Sequence, residues 1–465
     1  MEPWILAAAL ALSITAAPAQ AAPLQGEQAA LHVLNRLAYG PRPGDIERVS
    51  QMGVQRYIDE QLDPPPLPAA LAQRLDRLET QKMGAGDALE ELRLVQSMAK
   101  QDKQGASDMR RETVARLVAE TAEARLLRAV ESPRQLEEVM VDFWFNHFNV
   151  YQGKGQDKVL VASYERDAIR PHVFGRFRDL LGATAKHPAM LFYLDNWVSK
   201  AGGLNENYAR ELMELHTLGV DNGYRQQDVT ELARMLTGWT YAPRRMIQRN
   251  ETFVFDPKRH DNGSKQWLGV SVPPRGQAEG EMALDVLAAH PSTARRISYK
   301  LAQYFVSDAP PPALIERMAR TWRDTGGEIR AVLRTMFASP DFMDQPVAGA
   351  KFKTPYQFVV SAARASGAPV TDVKPMLAAL NRLGQPLYGC QTPDGYRNTE
   401  DAWLNPDALS RRIAFATSLT QKSDPQQLQA ALGASVSPRT AALVASSPDK
   451  VRAAMLLGGP DFMQR

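Results

Sequence analysis

Residues 205–219 read NENYARELMELHTLG, a helix-length run in which Asn207, Arg210, Glu211 and Glu214 recur at three- and four-residue spacing, with His216 two positions on. At about 100° per residue, Asn207, Glu211 and Glu214 fall within about 60° of one another, with Arg210 at the edge. Two carboxylates this close repel unless something positive lies between them. One answer is a divalent cation held by Glu211 and Glu214, with His216 joining where the helix frays. Carboxylate and imidazole ligands suit Zn, Mn or Fe. A metal-bound water would then be the nucleophile and a carboxylate the general base. The other answer is a solvated or salt-bridged face, with Arg210 supplying charge to Glu214 at i+4. The spacing lacks the strictness of HExxH, so both readings stand.

Other groups widen the candidate site. QDVTELARMLTGW carries Asp228, Glu231 and Arg234 at three-residue spacing. Two consecutive helices with acid-and-arginine faces form either an ion-pair seam or a charged cleft, and a buried seam adds little net stability. In FWFNHFNVY, His147 shares a face with Leu136, Val139, Met140 and Phe143. That is the usual setting of a core histidine, yet it closes a helix, where an imidazole can point into a cavity, and Asn146 is beside it. RHDNGSK places His260 and Asp261 in a loop, a common home for functional groups. In HPSTARR, Arg295 and Arg296 are expected in the first turn of a helix, where the macrodipole disfavours cations unless an anion offsets it. The expected cleft combines His147, Asn205, Asn207, Glu211, Glu214, His260 and Asp261. His147, Glu211, Glu214, His260 and Asp261 are its catalytic candidates. Asn205, Asn207, Arg210, Arg295 and Arg296 are its substrate-binding candidates.

These residues need a scaffold. The chain has 465 residues, 44% hydrophobic and 23% charged, enough to bury a sizeable core. Lys and Arg number 55 against 52 Asp and Glu, with no long basic run, so nucleic-acid binding gets no support. Beyond the N-terminus no segment approaches the roughly 20 apolar residues that span a bilayer. WILAAALALSITAAPAQAA ends in Ala19-Gln20-Ala21, an A-x-A pattern that predicts a signal peptide over 1–21 and a mature helical domain over 22–465. Its n-region carries Glu2 and no basic residue. The implied location is periplasmic or secreted. The single cysteine, Cys390, permits no internal disulfide, which a chain this long does not require.

Helical period dominates. QAALHVLNRLAY, DIERVSQM, VQRYIDEQL, Asp108–Glu131 and DKVRAAMLL all place apolar residues at i, i+3 and i+4. Ser132, Pro133 and Gln135 predict an N-cap, a first-position proline and a capping-box glutamine. Ser292-Thr293 opens another helix after Pro291, and His187-Pro188 marks a boundary. Thr252–Phe255, a turn-rich PKRHDNGSK and then QWLGV predict a small β-hairpin near 252–270. The fold class expected is mainly α, a large multi-helix domain, with a lobe division placed near residue 310. SPDFM at 339–343 echoes in GPDFM at 459–463 as two similar helix ends.

LHVLNRLAYGPRPGDIERV, FWFNHFNV, FGRFRDLLGATAKHPAMLFYLDN, GLNENYARELMELHTLGV, DVTELARMLTGW, FDPKRHDNGSKQWLG, KFKTPYQFVV and the SPDFM-type ending follow in order. Together they resemble the bacterial family catalogued as domain of unknown function 1800, over roughly Gln28 to Arg465. The resemblance implies an exported, single-family-domain protein and no particular reaction. It also implies a partner, since members are commonly encoded beside an exported, sulfatase-like family. The residues lead to two expected functions: a hydrolytic, metal-dependent or acid-base site on an extracellular substrate, or a non-catalytic envelope or assembly protein working with a co-exported partner.

Overall fold

The computed structural model describes residues 23–98, 103–220, 222–242, 251–421 and 423–465. The expected signal peptide and its cut before Ala22 lie outside them. Helices dominate, with two small antiparallel two-stranded sheets. Every helix read from period is present: Gly26–Leu37, Asp45–Met52, Val54–Leu62, Lys103–Glu131 and Asp449–Gly458. Among the described residues no helix is long and apolar enough to cross a membrane. One continuous hydrophobic core runs from Ala30 to Met463, with contributions from both sides of residue 310.

Local chemistry explains the helix starts and corrects two of them. The helix expected to be capped by Ser132 begins at Gln135 (Gln135–His147). Ser132 Oγ accepts from Arg134 N, and Gln135 Nε2 donates back to the carbonyls of Ala129 and Ser132. The glutamine therefore splices two helices instead of closing a capping box. Arg295 and Arg296 are not in a first turn, because Pro291–Phe305 starts at the proline, with His290 as its cap. His290 Nδ1 accepts from Ser292 N at 3.1 Å, and His187 Nδ1 accepts from Ala189 N at 3.2 Å before helix Pro188–Tyr193. Both His-Pro pairs thus use a neutral ring nitrogen as the N-cap acceptor and proline at the first helical position.

The β structure is rewired. Val254–Phe255 pairs back with Trp239–Thr240, and Lys265–Trp267 forms a tight hairpin with Val270–Val272. The turn sits inside QWLGV, where Leu268 and Gly269 both take positive φ, 48° and 78°. Positive φ at both central residues matches the twist of a two-residue hairpin. Leucine at the first of them hides the turn from a sequence reading.

Aromatic packing sets the centre. Trp144, Phe148, Phe177 and Trp322 are buried, with ring centroids 5.8 Å apart for Trp144–Phe177 and 5.0 Å for Phe177–Trp322. Each such ring stabilises the fold by about 1.5–3 kcal/mol on burial. The stack ties Gln135–His147 to Pro312–Thr325 and so fixes the helix that ends at His147. The two PDFM segments are equivalent short helices, Pro340–Met343 and Pro460–Met463. Each is followed by an isolated bridge, Asp344 to Pro23 and Gln464 to Phe352. These bridges hold both ends of the described chain against the core.

Candidate functional site

The acidic helices are joined as a seam. Glu206, not singled out in the sequence, is its hub: it accepts from Thr230 Oγ1 at 2.6 Å, Gln226 Nε2 at 2.8 Å and Arg210 at 3.2 Å. Arg210 also reaches Glu214 at 3.5 Å. On the following helix, Gln226–Met235, Asp228 accepts from the Arg225 and Leu268 amides, and Glu231 from the Gln266 amide. Arg234 pairs with Glu231 at 2.8 Å and with Asp261 at 2.9 Å. This face therefore pins the hairpin. Asp261 is held at about 2, chiefly by the hydrogen bond from Arg234.

The expected wheel fails after Glu211. The α-helix Asn207–Glu211 continues as a π-helix over Leu212–His216, and Leu204 precedes the helix and is exposed. The wider turn carries His216 into the core, where its ring lies 5.1 Å from Phe148 and burial pushes it down to about 3. Glu211 and Glu214 stay half-buried. The Glu211 carboxyl is pushed up by burial first, then by Glu214 and Asp394, against the pull of Arg210. Glu211, Glu214 and His216 do not form a ligand set. Among the described residues no three His, Cys, Asp or Glu side chains converge to hold a metal ion.

His260 belongs elsewhere. It is buried against Glu279, 3.2 Å from Nε2, and Glu279 also pairs with Lys265 at 2.6 Å, all three side chains sealed from solvent. Asn205 caps locally, its Oδ1 accepting from Asn207 N, while Asn207 Nδ2 reaches the Leu194 carbonyl at 3.4 Å. Arg295 points outward to Glu316 at 2.6 Å, and Arg296 lies over the Leu215 carbonyl at 3.4 Å. The seven-residue cleft is thus divided among several places, because side chains that share loops or helix faces in sequence are turned apart by packing.

One expected residue, His147, does line a cavity, of about 250 Å³. The helix Gln135–His147 presents Asp142, Phe143, Asn146 and His147 to it, and Asn149 follows. The helix Pro291–Phe305 presents Lys300, Gln303 and Tyr304. The remaining wall is Thr354 and Tyr356 at the start of helix Pro355–Ala365, together with the loop from Gln385 to Thr399. Asn146 clamps that loop by a reciprocal pair, donating to the Tyr396 carbonyl at 2.8 Å and accepting from Tyr396 N at 2.7 Å. Asn149 Nδ2 donates to the carbonyls of Cys390 and Thr392. In FNHFN the two asparagines therefore hold the loop while the histidine faces inward.

The imidazole is fixed by its partners. His147 Nε2 lies 3.0 Å from the His216 carbonyl, to which it can only donate, so Nδ1 carries the lone pair. Lys300 Nζ lies 3.0 Å from Nδ1 and donates to it. Among the described residues Nζ makes no other hydrogen bond. A neutral imidazole does not balance an ammonium charge as a carboxylate would. Burial first, then Arg296, pulls Lys300 down to about 7, with Asp394 opposing. Burial first, then Lys300, holds His147 far below its ordinary range, in keeping with the neutral ring. Further along the same two helices Arg125 holds Asp142 at 3.0 Å, and Tyr304 donates to the same carboxyl at 3.4 Å. Burial still pushes Asp142 up despite Arg125. The cavity therefore offers an amine poised near neutrality and a carboxyl with raised proton affinity.

Sequence reasoning missed Lys300, Asp142 and Tyr304. A signal was available: in PSTARRISYKLAQYF, Lys300 lies beside the buried stripe Ile297, Leu301 and Tyr304. A lysine bordering an apolar face is costly unless it serves a site. No curated protein and no solved structure matches this chain. The family model described as protein of unknown function (DUF1800) matches residues 32–464, and the chain belongs to that family.

Proposed function

We propose that this chain is an exported acid-base enzyme whose reacting group is the neutral amine of Lys300, acting on a small substrate enclosed by the cavity. The observation that carries this is the 3.0 Å contact between Lys300 Nζ and His147 Nδ1 at an enclosed wall. A general base works best when its pKa lies near the operating pH, and burial beside a cationic neighbour is how a lysine gets there. His147 acts as a positioning residue: it takes one N–H and leaves the amine lone pair free. Asp142 is the proton donor, and Asn146 and Asn149 hold the loop that closes over the substrate. This replaces hydrolysis at a Glu211/Glu214 metal centre as the leading reading. Those acids stay near the rim, where Glu211 senses the cavity-lining Asp394. The acid-and-arginine seam supports a structural role for the second helix, in line with an assembly function on that face. Export rests on the apolar stretch ending in Ala19-Gln20-Ala21. A co-exported, sulfatase-like protein is the partner that the family resemblance suggests.

The test uses 5-nitrobenzisoxazole, a small aromatic probe whose ring opens when a desolvated base removes its C–H proton. The native chain is expected to open it with a rate that rises through about pH 7, and Lys300→Met is expected to abolish that component. Equal rates in the native chain and the folded variant would overturn the reading. N-terminal sequencing of protein recovered from the cell envelope or medium tests export. A start near Ala22 is expected, and an intact Met1 form confined to the cytoplasm would overturn it.

A further inference from the structure

Resting on the reading of Lys300 as the reacting amine, we infer that the cavity takes an aldehyde or ketone and that Lys300 joins it covalently as an imine. Three features of the site point to addition and not to proton abstraction alone. The amine donates one N–H to His147 Nδ1, so its lone pair is directed away from the ring. Lys300 keeps partial exposure and lines the cavity, so a bound carbonyl carbon can reach it. A proton donor lies between the same two helices: Tyr304, one turn after Lys300, donates at 3.4 Å to Asp142, which is on the helix that ends at His147. Lys300 and Tyr304 are about 6 Å apart along the helix axis at the backbone, and both line the cavity together with Asp142. Phe143, Tyr356 and Tyr388 add aromatic surface to an otherwise mixed lining, against which an aryl carbonyl can pack.

The chemistry balances with groups of this chain. Nζ attacks the carbonyl carbon, the N–C bond forms, and the C=O π pair moves to oxygen, which takes the Asp142 proton. The Asp142 carboxylate then removes one proton from nitrogen, leaving a neutral carbinolamine. Asp142 returns that proton to the hydroxyl, the C–O bond breaks, water leaves, and the nitrogen pair closes the C=N bond as an iminium. The charged groups around this nitrogen are Arg296 on its own helix and Asp394 on the loop, with the His147 and His216 rings facing it from the other elements. An iminium held there beside Arg296 withdraws electrons strongly from the substrate carbon next to it. The reaction class that follows is therefore cleavage, exchange or elimination at that carbon.

The experiment incubates the full mature chain with benzaldehyde at pH 7, reduces with sodium borohydride and maps benzylated lysines by peptide mass spectrometry. At that pH the neutral fraction of Lys300 exceeds that of an ordinary lysine by roughly a thousand-fold, so its peptide is expected to dominate. In His147→Gln the pH midpoint of Lys300 labelling is expected to move, as a positioning role requires and a purely structural one does not. Mapping is done on the native chain, so the outcome does not depend on a variant that folds. If Lys300 is benzylated no more than surface lysines while Lys300-dependent opening of 5-nitrobenzisoxazole persists, the imine is overturned and the base reading stands. If neither reaction involves Lys300, both are overturned.

Discussion

Burial and the neighbouring Arg296 set Lys300 apart from an ordinary surface lysine, and His147 fixes its direction. The consequence for stability has a definite sign. The folded-state value near 7 lies below the ordinary 10.5, so the unfolded chain binds more protons between those two values. The penalty for the buried ammonium is full below about pH 7 and fades as pH rises towards 10.5. Lys300→Met removes the penalty and is expected to be more stable than the native chain by about 1–3 kcal/mol at pH 6. The difference should shrink as pH approaches 10, and urea unfolding at several pH values measures it. A native chain more stable than the variant at pH 6 would mean that an unseen anion compensates the amine. The acid pair of the opening motif has its own check. Glu206→Gln should cost about 1–2 kcal/mol in the same assay by removing the charge and one of the two acceptor oxygens at the seam. Glu211→Gln, whose carboxyl burial already pushes up, should be close to neutral or slightly stabilising.

At the level of elements, helix Gln135–His147 and the Gln385–Thr399 loop form the cavity only while they are locked together. Gly395 is the closest approach in that lock. It has φ +75°, and a Cβ built there would lie 2.2 Å from the Asn146 carbonyl oxygen. Gly395→Ala is therefore expected to lose at least about 1–2 kcal/mol from backbone strain alone. It should also lift the loop. The readout is faster amide hydrogen exchange from Gln385 to Thr399, with the core helices unchanged. Protection as in the native chain would show that the loop does not depend on this contact. The π-helical segments act at the same scale. Tyr164–Ile169 and Leu212–His216 each insert a wider turn, and they place Glu165 and His216 where a regular helix would not.

Across the whole molecule, the cavity wall is continuous with a buried ionic network. Arg125 on the long helix Lys103–Glu131 joins Asp142 at 3.0 Å and Glu165 at 2.5 Å, while Arg170 joins Glu165 at 2.9 Å and Glu138 at 2.7 Å. Burial alone would push Glu165 up. Arg125 and Arg170, with a hydrogen bond from Tyr388, outweigh it and hold Glu165 at about 2. Its stabilisation is therefore present above about pH 4.5 and is lost as pH falls towards 2. Arg125→Gln leaves the ionised Glu165 short of a partner and should destabilise by about 3–5 kcal/mol. Its acid-unfolding midpoint should move to higher pH, which circular dichroism across pH 2–6 would follow. A second whole-molecule tie is the ladder in which Lys353 N donates to the Met463 carbonyl at 2.8 Å and Arg465 N to the Lys351 carbonyl at 2.8 Å. The Arg465 guanidinium lies 4.8 Å from the ring of Tyr304, a residue of the cavity wall. Removing residues 459–465 is expected to lower the melting temperature and to slow 5-nitrobenzisoxazole opening together; an unchanged rate would show that the tail does not support the wall.

The sequence by itself determined the helical class, the helices with the clearest apolar period and the family. Apolar period, proline and capping residues act within a few residues of chain and carry their meaning in the one-dimensional order. It also singled out His147 with Asn146, because a polar pair closing an apolar helix is visible locally. Only the tertiary structure decided what that histidine meets. Lys300 is 153 residues away, and the two come within 3.0 Å because separate helices pack across the aromatic stack. The misreadings have the same origin. A regular wheel over 205–219 already turns His216 off the face of Glu211 and Glu214, and the π-turn over Leu212–His216 buries it in the core where no frayed end can return it to them. His260 and Asp261 are adjacent in sequence, yet one side chain is sealed against Glu279 and the other faces Arg234. Local spacing records which groups can be near each other on one element. Convergence between elements depends on burial and long-range packing, and that is where this site is made.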